Sequence, residues 1–170
     1  MTHDKAASDF RIRDYRPVDA VPLAKLFYDC VHRVNSRDYA AEQLEAWAPK
    51  EANLDAWRTR FNNRIAIVPE SDAKFAGFAD MTPTGHLDRL FVSADHQRLG
   101  VGRMLVDELK LRASELGIAE MSTDASITAR PFFADQGFMV VCEQMVSCRG
   151  QSLTNYKMRY QIEIKTDSSS

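Results

Sequence analysis

Residues 86–110, HLDRLFVSADHQRLGVGRMLVDELK, decide how the rest of the chain is read. The pattern predicts a strand ending at Val92, a polar loop, SADHQ, and a helix opened by Gln97-Arg98-Leu99-Gly100-Val101-Gly102. Val101, Leu105, Leu109 and Leu116 share one face of that helix, and Gly117 stops it. Glycines at 100 and 102 leave backbone amides uncovered by Cβ atoms. The amides point out of a helix N-terminus, where the macrodipole also favours negative charge. Arg98 and Arg103 add charge-assisted donors. In physical terms this is a pyrophosphate cradle, but two glycines also suit a helix start that holds no ligand. A P-loop needs Lys-Ser or Lys-Thr after its glycines, and none follows here. A dinucleotide fingerprint needs a third glycine where Leu105 stands.

Outward from this segment, strands and helices alternate. A first strand is expected over 10–16. Asp19 is placed to cap a helix that runs to about Val34. Short helices follow near 40–48 and 53–62, the first ended by Pro49. Strands are expected at 65–68, 74–81 and 121–126, and a short helix at 129–136 ended by Gly137. Residues 138–148 and 152–163 read as a hairpin turning at Arg149-Gly150. The sum is an α/β (α+β) fold, a mixed sheet with helices on both faces. With no Gly/Ser/Pro linker inside it, the chain reads as one domain over 9–164, with flexible ends at 1–8 and 165–170.

Composition narrows the function. Apolar residues are 45% and charged residues 27%, ordinary values for a folded domain. Lys and Arg number 22 against 24 Asp and Glu, a net charge of −2. Proteins that bind nucleic acid by counterion release usually carry a basic excess, so no nucleic-acid partner is expected. No apolar run is long enough to cross a membrane, and no secretory leader is visible, so a cytoplasmic location is expected. The three cysteines, Cys30, Cys142 and Cys148, show no CxxC spacing, and the four histidines no paired spacing. Neither a disulfide framework nor a metal site is expected. Arg11, Arg13 and Arg16 read as a solvated strand face. Tyr28, Trp47, Trp57 and Phe61 read as core or as the walls of a pocket.

The 86–110 segment resembles motif A of the GNAT superfamily of N-acetyltransferases. Leu90-Phe91-Val92 matches its strand end, and Gln97, Gly100 and Gly102 match its Q/R-x-x-G-x-G/A loop in register. The resemblance spans roughly 10–160. Trp-Ala-Pro at 47–49 and Ala129-Arg130-Pro131-Phe132-Phe133 are most similar to the YafP-like branch. It implies a mostly antiparallel sheet splayed at a bulge, and acetyl-CoA as co-substrate. It also implies a small-molecule or peptide amine as acceptor, in a monomer or homodimer. The amides from Arg98 through Leu99, Gly100, Val101 and Gly102 to Arg103 would hold the pyrophosphate, with Gln97 beside them. Leu90, Phe91 and Val92 would border the pantetheine, with the backbone of Phe91 and Val92 pairing to it. The Val92 amide would hold the oxyanion, and Ser126 would touch the pantetheine.

A general base must take a proton from the attacking amine. His86 aligns with a catalytic glutamate of some relatives, and is equally a half-exposed turn residue. Asp88 is the second candidate, or else binds the substrate ammonium or pairs with Arg89. Asp80 is a third carboxylate near the cleft. Phe133 falls where many relatives carry a tyrosine that protonates the departing thiolate, and phenylalanine has no proton to give. Water, Ser126, Tyr156 or Cys142 would have to substitute. Phe133 also keeps open a second class of function, an acyl-CoA-binding sensor with weak or no catalysis.

Overall fold

The computed structural model describes residues 6–163. The tail expected over 165–170, the boundary at 164 and residues 1–5 lie outside the described residues. The strands are β1 (Arg11–Asp14), β2 (Ile65–Ser71), β3 (Lys74–Phe75), β4 (Gly77–Met81), β5 (His86–Val92), β6 (Glu120–Ser126), β7 (Met139–Cys148) and β8 (Gln151–Gln161). The helices are α1 (Ala20–Val34), α2 (Ala41–Trp47), α3 (Leu54–Thr59), α4 (Val101–Glu115) and α5 (Arg130–Asp135). The sheet runs β1-β2-β4-β5-β6-β8-β7, with β3 added to β2. Every pairing is antiparallel except that of β5 with β6.

Alternation along the strands divides the core between the two faces of the sheet. On one face Leu105, Val106 and Leu109 of α4 and Phe133 of α5 meet Ile67, Ala79, Leu87 and Met121. On the other, Leu23 of α1 and Trp57 of α3 meet Val68 and Phe78, and Leu44 of α2 packs with Val31, Tyr39 and Leu153. The central strand β4 is buried along its whole length. This is the mixed, mostly antiparallel sheet with helices on both faces that the sequence predicts.

Several local expectations are corrected. The strand expected over 74–81 is broken at Ala76, whose carbonyl accepts from Ser93 and whose N–H donates to Pro69. Gly77 then passes so close to β5 that a Cβ there would lie 2.3 Å from the Phe91 carbonyl oxygen. Leu116, expected on the buried face of α4, is 59% exposed because α4 ends one residue earlier. α3 stops at Thr59, and Phe61 is carried into the core by the turn beyond it. Ala7–Asp9 forms a 3-10 turn whose Ala7 N–H donates to Leu99, so residues 6–8 are tied to the α4 loop. The β7–β8 hairpin has a bulge between Val140 and Cys142, and Cys142 is exposed.

Asp19 does not cap α1 with its side chain. It accepts the Arg16 N–H at 2.8 Å and both arms of the Arg13 guanidinium at 2.8 and 2.9 Å. Arg13 also pairs with Glu70 at 2.9 Å, so it is no solvated residue. Burial alone would raise the Asp19 pKa, but the hydrogen bonds from Arg13 and Arg16 outweigh it and hold the carboxyl below its ordinary value. The charged form therefore favours folding above the unfolded carboxylate value of about 3.9. That contribution drains away as the pH falls through the lower folded value. Asp19→Asn should cost about 1–3 kcal/mol at pH 7 by urea denaturation, and the gap should close in acid. A gap unchanged between neutral pH and about pH 2 would contradict this reading.

Candidate active site

The site begins where the sheet opens. β5 and β6 pair only at His86–Ser122 and Leu87–Thr123. The buried Thr123 hydroxyl donates to the Leu87 carbonyl at 2.8 Å, and beyond it the strands part. On the other side of β5 the register against β4 slips, from Leu87 opposite Met81 to Arg89 opposite Asp80. Asp88 is the extra residue of a β-bulge, which bends its strand and increases the local twist. The bulge also swaps faces. Leu87, Leu90 and Val92 lie toward α4, while the Phe91 ring lies toward Phe27, Trp47 and Phe78.

The free edge of β5 follows from backbone alternation. The Ser93 N–H donates to Ala76 beside β4. Successive residues of a strand present their backbone groups to opposite edges. The backbone of Phe91 therefore faces β4, opposite Phe78, and that of Leu90 and Val92 faces the gap. Phe91, expected to pair through its backbone, offers its ring to the cleft wall instead. The Val92 carbonyl is already occupied. It accepts from the Gln97 side chain at 2.8 Å and from the Cys30 thiol at 3.2 Å. Gln97 thus ties the strand end to the loop and does not extend toward a phosphate. Burial pushes the Cys30 thiol up to about 12, so it stays protonated as that donor.

The loop into α4 is built by two left-handed residues, Arg98 at φ 63° and Gly100 at φ 87°. Gly100 is the N-cap of α4 and supplies no side-chain acceptor, and the first turn holds no acidic residue. The N–H groups of Val101, Gly102 and Arg103 are those a helix start leaves without an intrahelical partner. Arg103 is 75% exposed, and Arg98 is also exposed. The Val101 side chain is in the core, so this residue can meet a ligand only through its amide. Gly102 has a second role: a Cβ there would lie 3.0 Å from the Phe132 ring.

A cleft of about 930 Å³ opens beside the gap, lined by Asp88, Arg89, Leu90 and Phe91 of β5 and by Thr123, Asp124 and Ser126 of β6. Trp47, Trp57 and Tyr28 also line it, as does Phe133, which is 3% exposed between Phe132 and Phe138. Ser126 accepts the Ala129 N–H at 3.0 Å, which leaves its hydroxyl proton free. Tyr156 and Cys142 do not line this cleft. The Tyr156 hydroxyl donates to Glu143.

The candidate bases are held differently. Asp88 is paired with Arg64 at 2.8 Å and Arg89 at 3.4 Å. Asp80 is fully buried between Arg64 and Arg89, at 3.2 and 3.1 Å, and does not border the cleft. Burial raises its pKa against the pull of the two arginines. His86 sits behind the cleft wall, with Nδ1 2.8 Å from the Ser122 hydroxyl and Nε2 3.7 Å from Asp124. Asp124 faces the cleft and was not singled out by sequence reasoning, although its alternation with buried Met121 and Thr123 carries the signal. Tyr39 was also missed. Its hydroxyl donates to Thr154 and accepts the Ile127 N–H, bolting the far end of β6 to β8. No local spacing points to Arg60 or Arg149, which reach the cleft from α3 and the hairpin turn.

Known proteins share this arrangement. Residues 35–160 match the acetyltransferase (GNAT) domain family. The N-acetyltransferase YafP of Escherichia coli (strain K12) is 35% identical over 153 residues, covering 90% of this chain and 97% of that protein. A GCN5-related N-acetyltransferase from Rhodopseudomonas palustris superposes with a TM-score of 0.86 at 28% identity, over 95% of this chain and 99% of that one. The PaiA N-acetyltransferase of Thermoplasma acidophilum, in complex with coenzyme A, shares the fold at a TM-score of 0.69 and 18% identity, over 89% and 98% of the two chains. With a splayed sheet, a free β5 edge and an uncapped α4 beside it, the chain belongs to the GNAT acetyltransferase family, as a YafP-like member.

Proposed function

We propose that the protein moves an acetyl group from acetyl-CoA to a primary amine by direct attack of the amine on the thioester. The observation that carries this reading is the free edge of β5, which leads through one short loop into the unsatisfied amides at the start of α4. The coenzyme supplies the acetyl group as an activated thioester. The chain supplies position and charge. The amides of Val101, Gly102 and Arg103, with the Arg98 and Arg103 guanidinium groups, suit a pyrophosphate. The Leu90 backbone groups and the Val92 N–H suit a pantetheine arm laid along β5 like an added strand. In this reading the Val92 N–H would polarise the thioester carbonyl.

The attacking amine has to lose a proton, since a free alkylamine is mostly protonated below about pH 10. We assign that task to His86 acting through Asp124, with Asp88 held back by its two arginines. On the leaving side Phe133 is a wall and no acid. Ser126 has a free hydroxyl proton at the cleft, and an ionised thiolate is itself a tolerable leaving group. Residues 9–164 are read as one catalytic domain. Among the described residues no helix is long and apolar enough to cross a membrane, and a cytoplasmic location is part of the proposal. Exposed Met139, Val141 and Met145 on edge strand β7 support the homodimer over the monomer.

Two variants test the halves of this proposal. Arg103→Glu places an acid in the first turn of α4, which favours the helix dipole while repelling a phosphate. Thermal stability should hold, while CoA affinity by calorimetry falls about tenfold or more, less so in high salt. Unchanged affinity in the folded variant would remove the cradle. His86→Ala should lower kcat/KM by about 10²-fold near neutral pH, and by less at high pH, where more of the amine is already deprotonated. A loss equal at every pH would make His86 a positioning residue, and no loss would remove it from the reaction.

A further inference from the structure

The charged groups on the α3 side of the cleft do not balance. Arg64 and Arg89 are matched by Asp80 and Asp88. Arg60 stands beside them, half-buried, with its guanidinium 4.3 Å above the Trp57 ring. Among the described residues no carboxylate pairs with Arg60 and no acceptor takes its hydrogen bonds. Arg149 reaches the same cleft from the hairpin turn, and among the described residues its guanidinium is held through the Ala46 carbonyl alone, at 2.6 Å. Burial and the nearby Arg89 and Arg149 push the Arg60 pKa below its usual value, despite Asp80 and Asp88. A half-buried cation held over an aromatic face, with its donors free, is the arrangement that recognises an oxyanion in a fork. The coenzyme's phosphates do not account for it, because α4 packs on the opposite face of the sheet.

We propose that the acceptor is an anionic amine, carrying a carboxylate or phosphate besides its amino group, and that Arg60 binds that oxyanion. The inference rests on the acetyl-transfer reading for the identity of the amine, but the anion site is testable without turnover. The probes are matched pairs: the L-amino acids against their α-amides, and O-phosphoethanolamine against ethanolamine. Thiol release from acetyl-CoA gives kcat/KM, and calorimetry on the CoA complex gives binding. The anionic member of the best pair should lead by about tenfold or more. Arg60→Gln should erase that preference, mainly through KM of the acceptor, Arg60→Lys should restore part of it, and KM for acetyl-CoA should stay unchanged. A lead for the neutral members overturns the inference, as does a preference that survives Arg60→Gln or a loss that falls on acetyl-CoA instead. No binding by any anionic probe also overturns it. Arg60-dependent binding without acetylation of any amine would instead overturn the acetyl-transfer reading and leave the anion site standing.

Discussion

The hydrogen bond from the buried Thr123 hydroxyl to the Leu87 carbonyl marks the last point at which β5 and β6 belong to one ladder. The gap and the free edge of β5 lie beyond it. A strand edge left open inside a sheet is costly, since backbone groups shielded from water need partners. The chain does not let the gap close. The Asp88 bulge turns β5 away on one side. Tyr39 bolts the end of β6 to β8 on the other. The Phe91 ring, wedged among Phe27, Trp47 and Phe78, fills the base of the gap. A ligand that supplies amide groups along β5 then completes a sheet that the chain leaves unfinished.

The charges near the bulge serve the same geometry. Asp80 lies at the centre of the sheet with no exposed surface, and its Oδ1 has no hydrogen-bond partner. Removing both nearby arginines from such a carboxylate would leave an uncompensated buried charge, a strongly destabilising change. Arg64 and Arg89 also fix Asp88, so the bulge residue is clamped from two directions. Among the described residues the clamp leaves Arg60, and Arg149 near it, without a carboxylate. The α3 side of the cleft thus carries unmatched positive charge although the chain as a whole carries a net charge of −2.

The 86–110 segment was legible because each of its features is local. A strand of seven residues, a polar loop, a left-handed glycine at the N-cap and a helical apolar face all show in the order of the residues. The Asp19 cluster was misread because its partners come from two directions. Arg13 lies six residues back, and Glu70 enters from β2. The break at Ala76 was invisible for a similar reason, since its cause is the approach of Gly77 to Phe91 on the next strand. The orientation of β5 was misjudged at one residue. Which backbone groups face the gap depends on the bulge at Asp88, and a bulge inserts one residue into an alternation that otherwise reads correctly. Alternation along β6 marks Asp124 as outward-facing, but Arg60 joins the cleft through tertiary contacts that no spacing in the chain shows.

The Leu90 backbone and the Val92 N–H form a vacant strand edge that an acyl-CoA ligand would fill. Amide hydrogen exchange at these two residues, followed by NMR with and without CoA, tests it most directly. The account predicts that the Val92 and Leu90 amides exchange readily in the free protein and slow by about tenfold or more with CoA, while Phe91, bonded toward β4, is protected in both states. Protection of Val92 in the free protein, or no change at either amide when CoA is bound, would contradict it.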